Sequence, residues 1–158
     1  MATTDILIGS ATVQLNGADI GYTRGGVMWR VDSEHVDIDA DQEVGIVRVA
    51  RSMERAYVEF SMIELTLENM RIAMMLPTAN LVGSVLTLGY NSPCWVDEIE
   101  VILTGPGPSC GDRVATFPRC VAKGQREYSM KRDAAAEFKV TFEALKDTNG
   151  NFGTVEDI

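Results

Sequence analysis

Glu137-Phe138-Lys139-Val140-Thr141-Phe142-Glu143-Ala144 decides the fold class. Phe138, Val140, Phe142 and Ala144 fall on one side of an extended chain, and Glu137, Lys139, Thr141 and Glu143 on the other. This period-2 alternation fits a half-buried strand and no helix. Two further stretches repeat it. Trp95, Ile99, Val101 and Leu103 alternate with Glu98 and Glu100, while Ala56, Val58, Phe60 and Met62 alternate with Tyr57, Glu59 and Ser61. Shorter strands are expected at 11–16, 19–22, 44–49, 85–90, 113–122 and 126–132. Turn signals separate them at Asn16-Gly17, Gly25-Gly26, Asn91-Ser92-Pro93, Gly105-Pro106-Gly107-Pro108 and Asn149-Gly150.

Two segments depart from this pattern. Over 27–39, Val27, Trp29 and Val31 share one phase while Val36 and Ile38 occupy the other. A flat strand cannot bury both sets, so a bulge near Ser33 to His35, or a strand passing between sheets, is expected. At about 66–76 the spacing predicts the only helix: Thr66 as N-cap, Glu68 in the first turn, and Pro77 forbidding continuation past Leu76. Leu67, Met70 and Met74 share a helical face, whereas Ile72, Met75 and Leu76 lie off it. That second apolar side needs cover, either from the chain's own loops or from a neighbouring subunit.

The expectation is a mainly β protein: an antiparallel β-sandwich or barrel of about eight to ten strands with one α-helix. Its 158 residues suit one domain spanning 1–158, and no repeat or linker divides it. The most loop-like region, 39–54, starts acidic (Asp39, Asp41, Glu43) and ends basic (Arg48, Arg51, Arg55), reading as a hairpin arm that projects from the body. No apolar run approaches the roughly 18 residues of a membrane span. The start Met1-Ala2-Thr3-Thr4-Asp5 lacks the pattern of a signal peptide, so residence in a cytosol is expected. A net charge of −9 repels phosphate, which disfavours gripping nucleic acid or an anionic membrane.

Motifs that could carry chemistry fail on their context. Gly107-Pro108-Ser109-Cys110-Gly111 matches the G-x-S-x-G nucleophile elbow, which needs a helix after it. The residues that follow, Asp112 to Pro118, are strand-like, and the sole histidine, His35, precedes the serine. Asp147-Thr148-Asn149-Gly150-Asn151 opens like a calcium loop, but Phe152 stands where glycine is needed and Ile158 where glutamate is. Cys94, Cys110 and Cys120 show no C-x-x-C spacing and read as small buried hydrophobes, without a disulfide framework or zinc site. No enzyme activity, cofactor or metal is expected. Acidic residues gather in Asp32, Glu34, Asp37, Asp39, Asp41 and Glu43, a pattern that usually marks a solvated strand face.

Three stretches resemble the major tail tube proteins of tailed bacteriophages. Val58-Glu59-Phe60-Ser61-Met62-Ile63-Glu64-Leu65-Thr66-Leu67-Glu68-Asn69-Met70 is similar to the family's strand running into its one substantial helix. Val13-Gln14-Leu15-Asn16-Gly17-Ala18-Asp19-Ile20-Gly21 is similar to its first hairpin, and Phe138 to Asp147 followed by Asn149-Gly150 to its final strand and turn. Region 91–125 carries no such resemblance. The resemblance implies hexameric rings stacked into a hollow tube, with strands of neighbouring subunits joined into one barrel around the lumen. Tail tube, tape-measure and other tail proteins would be its partners, double-stranded DNA a transient cargo, and the virion tail its location after assembly in the host cytoplasm. Part of the group Asp32, Glu34, Asp37 and Asp39 would then face the lumen, where carboxylates avoid holding phosphate. Arg48, Arg51, Ile72 and Met75 would meet other subunits. The tube of a contractile injection system is the nearest alternative; a monomeric β-barrel binding module is one of another class.

Overall fold

The computed structural model describes residue 7, residues 9–89 and residues 97–158. Cys94, Trp95, the turn Asn91-Ser92-Pro93 and the start Met1 to Asp5 lie outside the described residues. The elements are β1 (Thr12–Leu15), β2 (Ala18–Asp19), β3 (Thr23–Asp39), β4 (Ile46–Met62), α1 (Leu67–Ala73), β5 (Leu81–Val82), β6 (Val85–Leu86), β7 (Ile99–Pro106), β8 (Asp112–Ala122), β9 (Glu127–Lys131), β10 (Ala134–Ala144) and β11 (Thr154–Asp157). The protein is mainly β and antiparallel, as the alternation requires. The expected strand 44–49, from Ile46 onward, and 56–62 belong to one long strand, β4. The expected strand 85–90 shrinks to Val85–Leu86, and β11 carries no alternation that would announce it.

The main sheet runs in the order β2-β1-β7-β8-β10-β4-β3, with β11 added to β8 and β9 to β10. Its path ends at β2 and β3, so it does not close into a barrel. A split bends it instead. β8 pairs with β11 over Arg113 to Thr116 and with β10 over Cys120 to Ala122. β10 in turn pairs with β9 over its first half before reaching β8. The halves share only a corner, and that lets one fold over the other. Trp29 of β3 and Phe117 of β8 show the result. Three strands apart in a flat sheet would put them about 14 Å from each other, yet their ring centroids are 6.2 Å apart.

The core forms between these halves. Val13, Leu15, Ala56, Val58, Met62, Val101, Val140 and Phe142 are fully buried, and Phe60 stacks on Phe142 at 5.9 Å. In β8 the buried positions change parity, from Ala115 and Phe117 to Cys120 and Ala122. The register explains it: Val101 pairs with Phe117 and Ile99 with Cys120, so two steps in β7 match three in β8. The extra residue falls at Pro118-Arg119, and a bulge is where a strand tolerates proline.

The helix occupies Leu67–Ala73, shorter than the expected 66–76. Thr66 caps it, its Oγ1 accepting from the Asn69 backbone N–H at 3.1 Å. The Asn69 side chain donates to the carbonyls of Ile20 and Glu64, tying this end to the strands. Termination comes before Pro77. Met75 turns left-handed at φ 56°, Leu76 N–H bonds the Arg71 carbonyl, and Met75 N–H bonds that of Ile72. This is a Schellman closure with methionine where glycine is usual, so the sequence carries no stop signal at that point. Ala73 and Leu76 are buried, while Met70, Ile72, Met74 and Met75 pack half-buried against the core.

Candidate functional site

Among the described residues, the ribbon formed by β3 and β4 has no strand partner along its outer half. β4 is covered by β10 only from Ala56 to Met62, and β3 is the last strand of the sheet. Among the described residues no strand pairs with either outer edge beyond Ala56, and every residue from Met28 to Met53 is exposed. The region 39–54 is therefore less loop-like than expected. Ile46 onward is strand, only the connection 40–45 is irregular, and the ribbon reaches back along the whole of β3.

Isolated two-stranded ribbons are marginal in water, and open edges are pairing templates. This one also carries apolar side chains outward. Val36, Ile38, Val47, Val49 and Met53 are exposed on its strands, and Val44 at the tip is fully exposed. Such a surface marks an interaction site.

The register fixes which side chains share a face. Glu34 pairs with Met53 and His35 with Arg51, so β4 holds an extra residue, Ser52; Ile38 pairs with Arg48 and Asp39 with Ile46, so Val47 is a second. The irregularity expected near Ser33 to His35 thus lies in the partner strand, and β3 alternates without a break from Val27 to Asp39. Val36 and Ile38 remain opposite to Val27, Trp29 and Val31. The conflict of phases ends with neither set fully buried within the chain.

The four acidic candidates divide accordingly. Asp32 and Glu34 lie on the face of Met28, Arg30 and Tyr57; Asp37 and Asp39 lie on the face that continues the core side, with Val49 and Ile46 opposite. On the first face Arg30 bonds Asp32 and Glu59, each at 3.2 Å, and stacks over Tyr57 at 4.7 Å. Arg55 lies opposite Asp32, and its guanidinium is pushed above its ordinary value by Tyr57 first, then by Glu143 and Glu34. On the second face Arg51 lies 3.6 Å from Glu54, a pairing that the Ser52 bulge allows along a strand. Arg48 and Arg51 both sit on the ribbon. Ile72 and Met75 do not; they line an open groove of about 420 Å³ beside α1 with Leu15, Leu76, Asp97 and Glu98.

The remaining candidates are held in turns. Ser109 and Cys110, both left-handed, form a tight turn that leads straight into β8 where a nucleophile elbow needs a helix. One carboxylate oxygen of Asp147 accepts from the backbone N–H groups of Asn149 and Asn151 at 2.8 and 2.9 Å, which stabilises the closing turn. Burial pushes the Cys120 thiol up to about 12, while Cys110 is exposed. Among the described residues no group of His, Cys, Asp and Glu is placed to hold a metal, and no helix is long and apolar enough to cross a membrane.

The sequence located the ribbon's charged side chains and, in Val36 and Ile38, part of its apolar set, but not that these stay exposed within the chain. Two apolar stretches, Val36 with Ile38 and Val47 with Val49, flank the connection 40–45 as the arms of a hairpin would, although Val36 pairs with Ala50 and Ile38 with Arg48. No protein-family model matches the chain, and no curated protein matches it.

Proposed function

We propose that this chain is a structural subunit that assembles with copies of itself into the stacked rings of a phage tail tube. The observation that carries this is the two-edged ribbon. It exposes apolar side chains, leaves two rows of backbone N–H and C=O groups without a strand partner among the described residues, and extends about 27 Å from Val31 to Asp39 at about 3.4 Å per residue. Pairing with a neighbour on each side satisfies those groups and brings the core-side apolar residues, Ile46 and Val49, against protein, a burial of about 25 cal/mol per Å². An open sheet becomes a closed one only when the copies complete it.

In this reading the face of β3 directed away from its own core lines the bore. Asp32 and Glu34 lie on it with Arg30, Arg48 and Arg55, whose charge they offset, so the bore offers DNA phosphates little net positive charge to hold, consistent with the net charge of −9. Asp37 and Asp39 face the opposite way, toward protein. DNA is cargo, the tape-measure and other tail proteins are partners, and the assembled location is the virion tail.

Replacing residues 36–49 by a short Gly-Ser turn tests the proposal. Electron microscopy of the concentrated intact protein is expected to show rings or tubes. The shortened chain should keep the sheet's circular dichroism yet stay monomeric in sedimentation. If it assembles as well as the intact protein, the ribbon is not the assembly element.

A further inference from the structure

The two open edges carry opposite charge. β3 presents Asp32, Glu34, Asp37 and Asp39, while the ribbon part of β4 presents Arg48, Arg51 and Arg55 against one carboxylate, Glu54. These charges do not mainly serve the hairpin itself. Cross-strand partners are Glu34 with Met53, Asp37 with Val49, Ile38 with Arg48 and Asp39 with Ile46; only Asp32 meets an arginine directly, Arg55. Among the described residues Glu34, Asp37, Asp39 and Arg48 form no ion pair within the chain.

We infer that these charges dictate how copies join: the acidic β3 edge of one copy pairs with the basic β4 edge of the next, head to tail. This rests on the self-assembly reading and adds a direction to it. Two-fold pairing of β3 with β3 sets carboxylates against carboxylates, and of β4 with β4 sets arginines against arginines; like charges opposite one another destabilise a strand pair. Pairing β4 with β3 removes both conflicts. Because the strands of one hairpin run in opposite directions, ribbons whose tips point the same way then meet antiparallel, the ordinary geometry of this sheet. Such a contact uses two different surfaces, so it repeats until a ring closes and does not stop at a dimer. The charges thus act against the wrong partner arrangement as much as for the right one.

Charge exchange tests this, with wild-type assembly as the reference. Over the tip half of the ribbon, residues 36–51, Asp37→Lys with Asp39→Lys makes both strands basic, and Arg48→Glu with Arg51→Glu makes both acidic. Each variant alone should lose ring formation, and mixing the two should restore it with alternating copies. A chain carrying all four changes keeps opposite charge on the two strands over that tip half, so its hairpin is not put at risk. It should assemble alone and be excluded from wild-type rings, read by native mass spectrometry of a mixture. Free mixing of the four-change chain with wild type, or ring formation by either two-change variant alone, overturns the inference and leaves the tube proposal standing. A wild-type chain that stays monomeric at every concentration overturns the proposal itself.

Discussion

Phe142 is fully buried and stacks on Phe60, its neighbour across the β10–β4 pairing. Its truncation leaves a cavity in a close-packed interior, so Phe142→Ala is expected to cost about 3–5 kcal/mol, measured by urea unfolding. Core residues of this kind were legible because alternation alone assigns a face. Charge partners were not, since they depend on register. Arg71, Arg119 and Arg113 hydrogen-bond Glu68, Glu98 and Asp157, and hold these carboxyls below their ordinary values of 4.5, 4.5 and 3.8. The folded state therefore binds these protons more weakly than the unfolded state does. Their contribution is present above the ordinary values and is lost as pH falls through the depressed ones. All three pairs are exposed, so the loss is modest and salt-sensitive. Urea midpoints should decline below the ordinary carboxylate range, less steeply at high salt; midpoints indifferent to acid would show that the pairs do not hold in solution.

At the scale of elements, the base of the ribbon is set by Gly25 and Gly26. Arg24 pairs with Ser61 and Val27 with Phe60, so three steps in β3 match one in β4 and both glycines are extra. They stand at φ 78° and 86°, and an added Cβ would meet nothing within 4 Å at either. Substitution there is resisted by the backbone alone, roughly 1–2 kcal/mol per residue for a left-handed conformation. Gly25→Ala and Gly26→Ala should each destabilise by about that amount in thermal unfolding, and the pair should shift how the ribbon leaves the body. Gly25-Gly26 was read in the sequence as a plain turn between strands. Its role as an insertion inside β3 needs the partner's register, which no local pattern contains. The helix shows the same limit. Thr66 announced its start through N-cap chemistry, but Met75 closes it with a residue that favours no such conformation, so the expected end ran three residues long.

For the whole molecule, strand content and antiparallel pairing followed from alternation, while closure did not. A local pattern states which side of a strand is apolar, not whether the sheet's last strand finds its first. Here it does not, and the two ends differ in kind. At one, β2 is a two-residue strand, too short to template much pairing; at the other, β3 offers seventeen residues of free edge. Natural edges are usually short, bulged or covered. One left this long and this apolar in a chain of net charge −9 agrees with a surface kept for copies of itself. A cryo-electron microscopy reconstruction of the assembled particle tests this most directly. The account predicts β3 of each subunit hydrogen-bonded to β4 of the next, with Asp32 and Glu34 on the bore. Ribbons standing free, or Asp32 and Glu34 turned away from the bore, would contradict it.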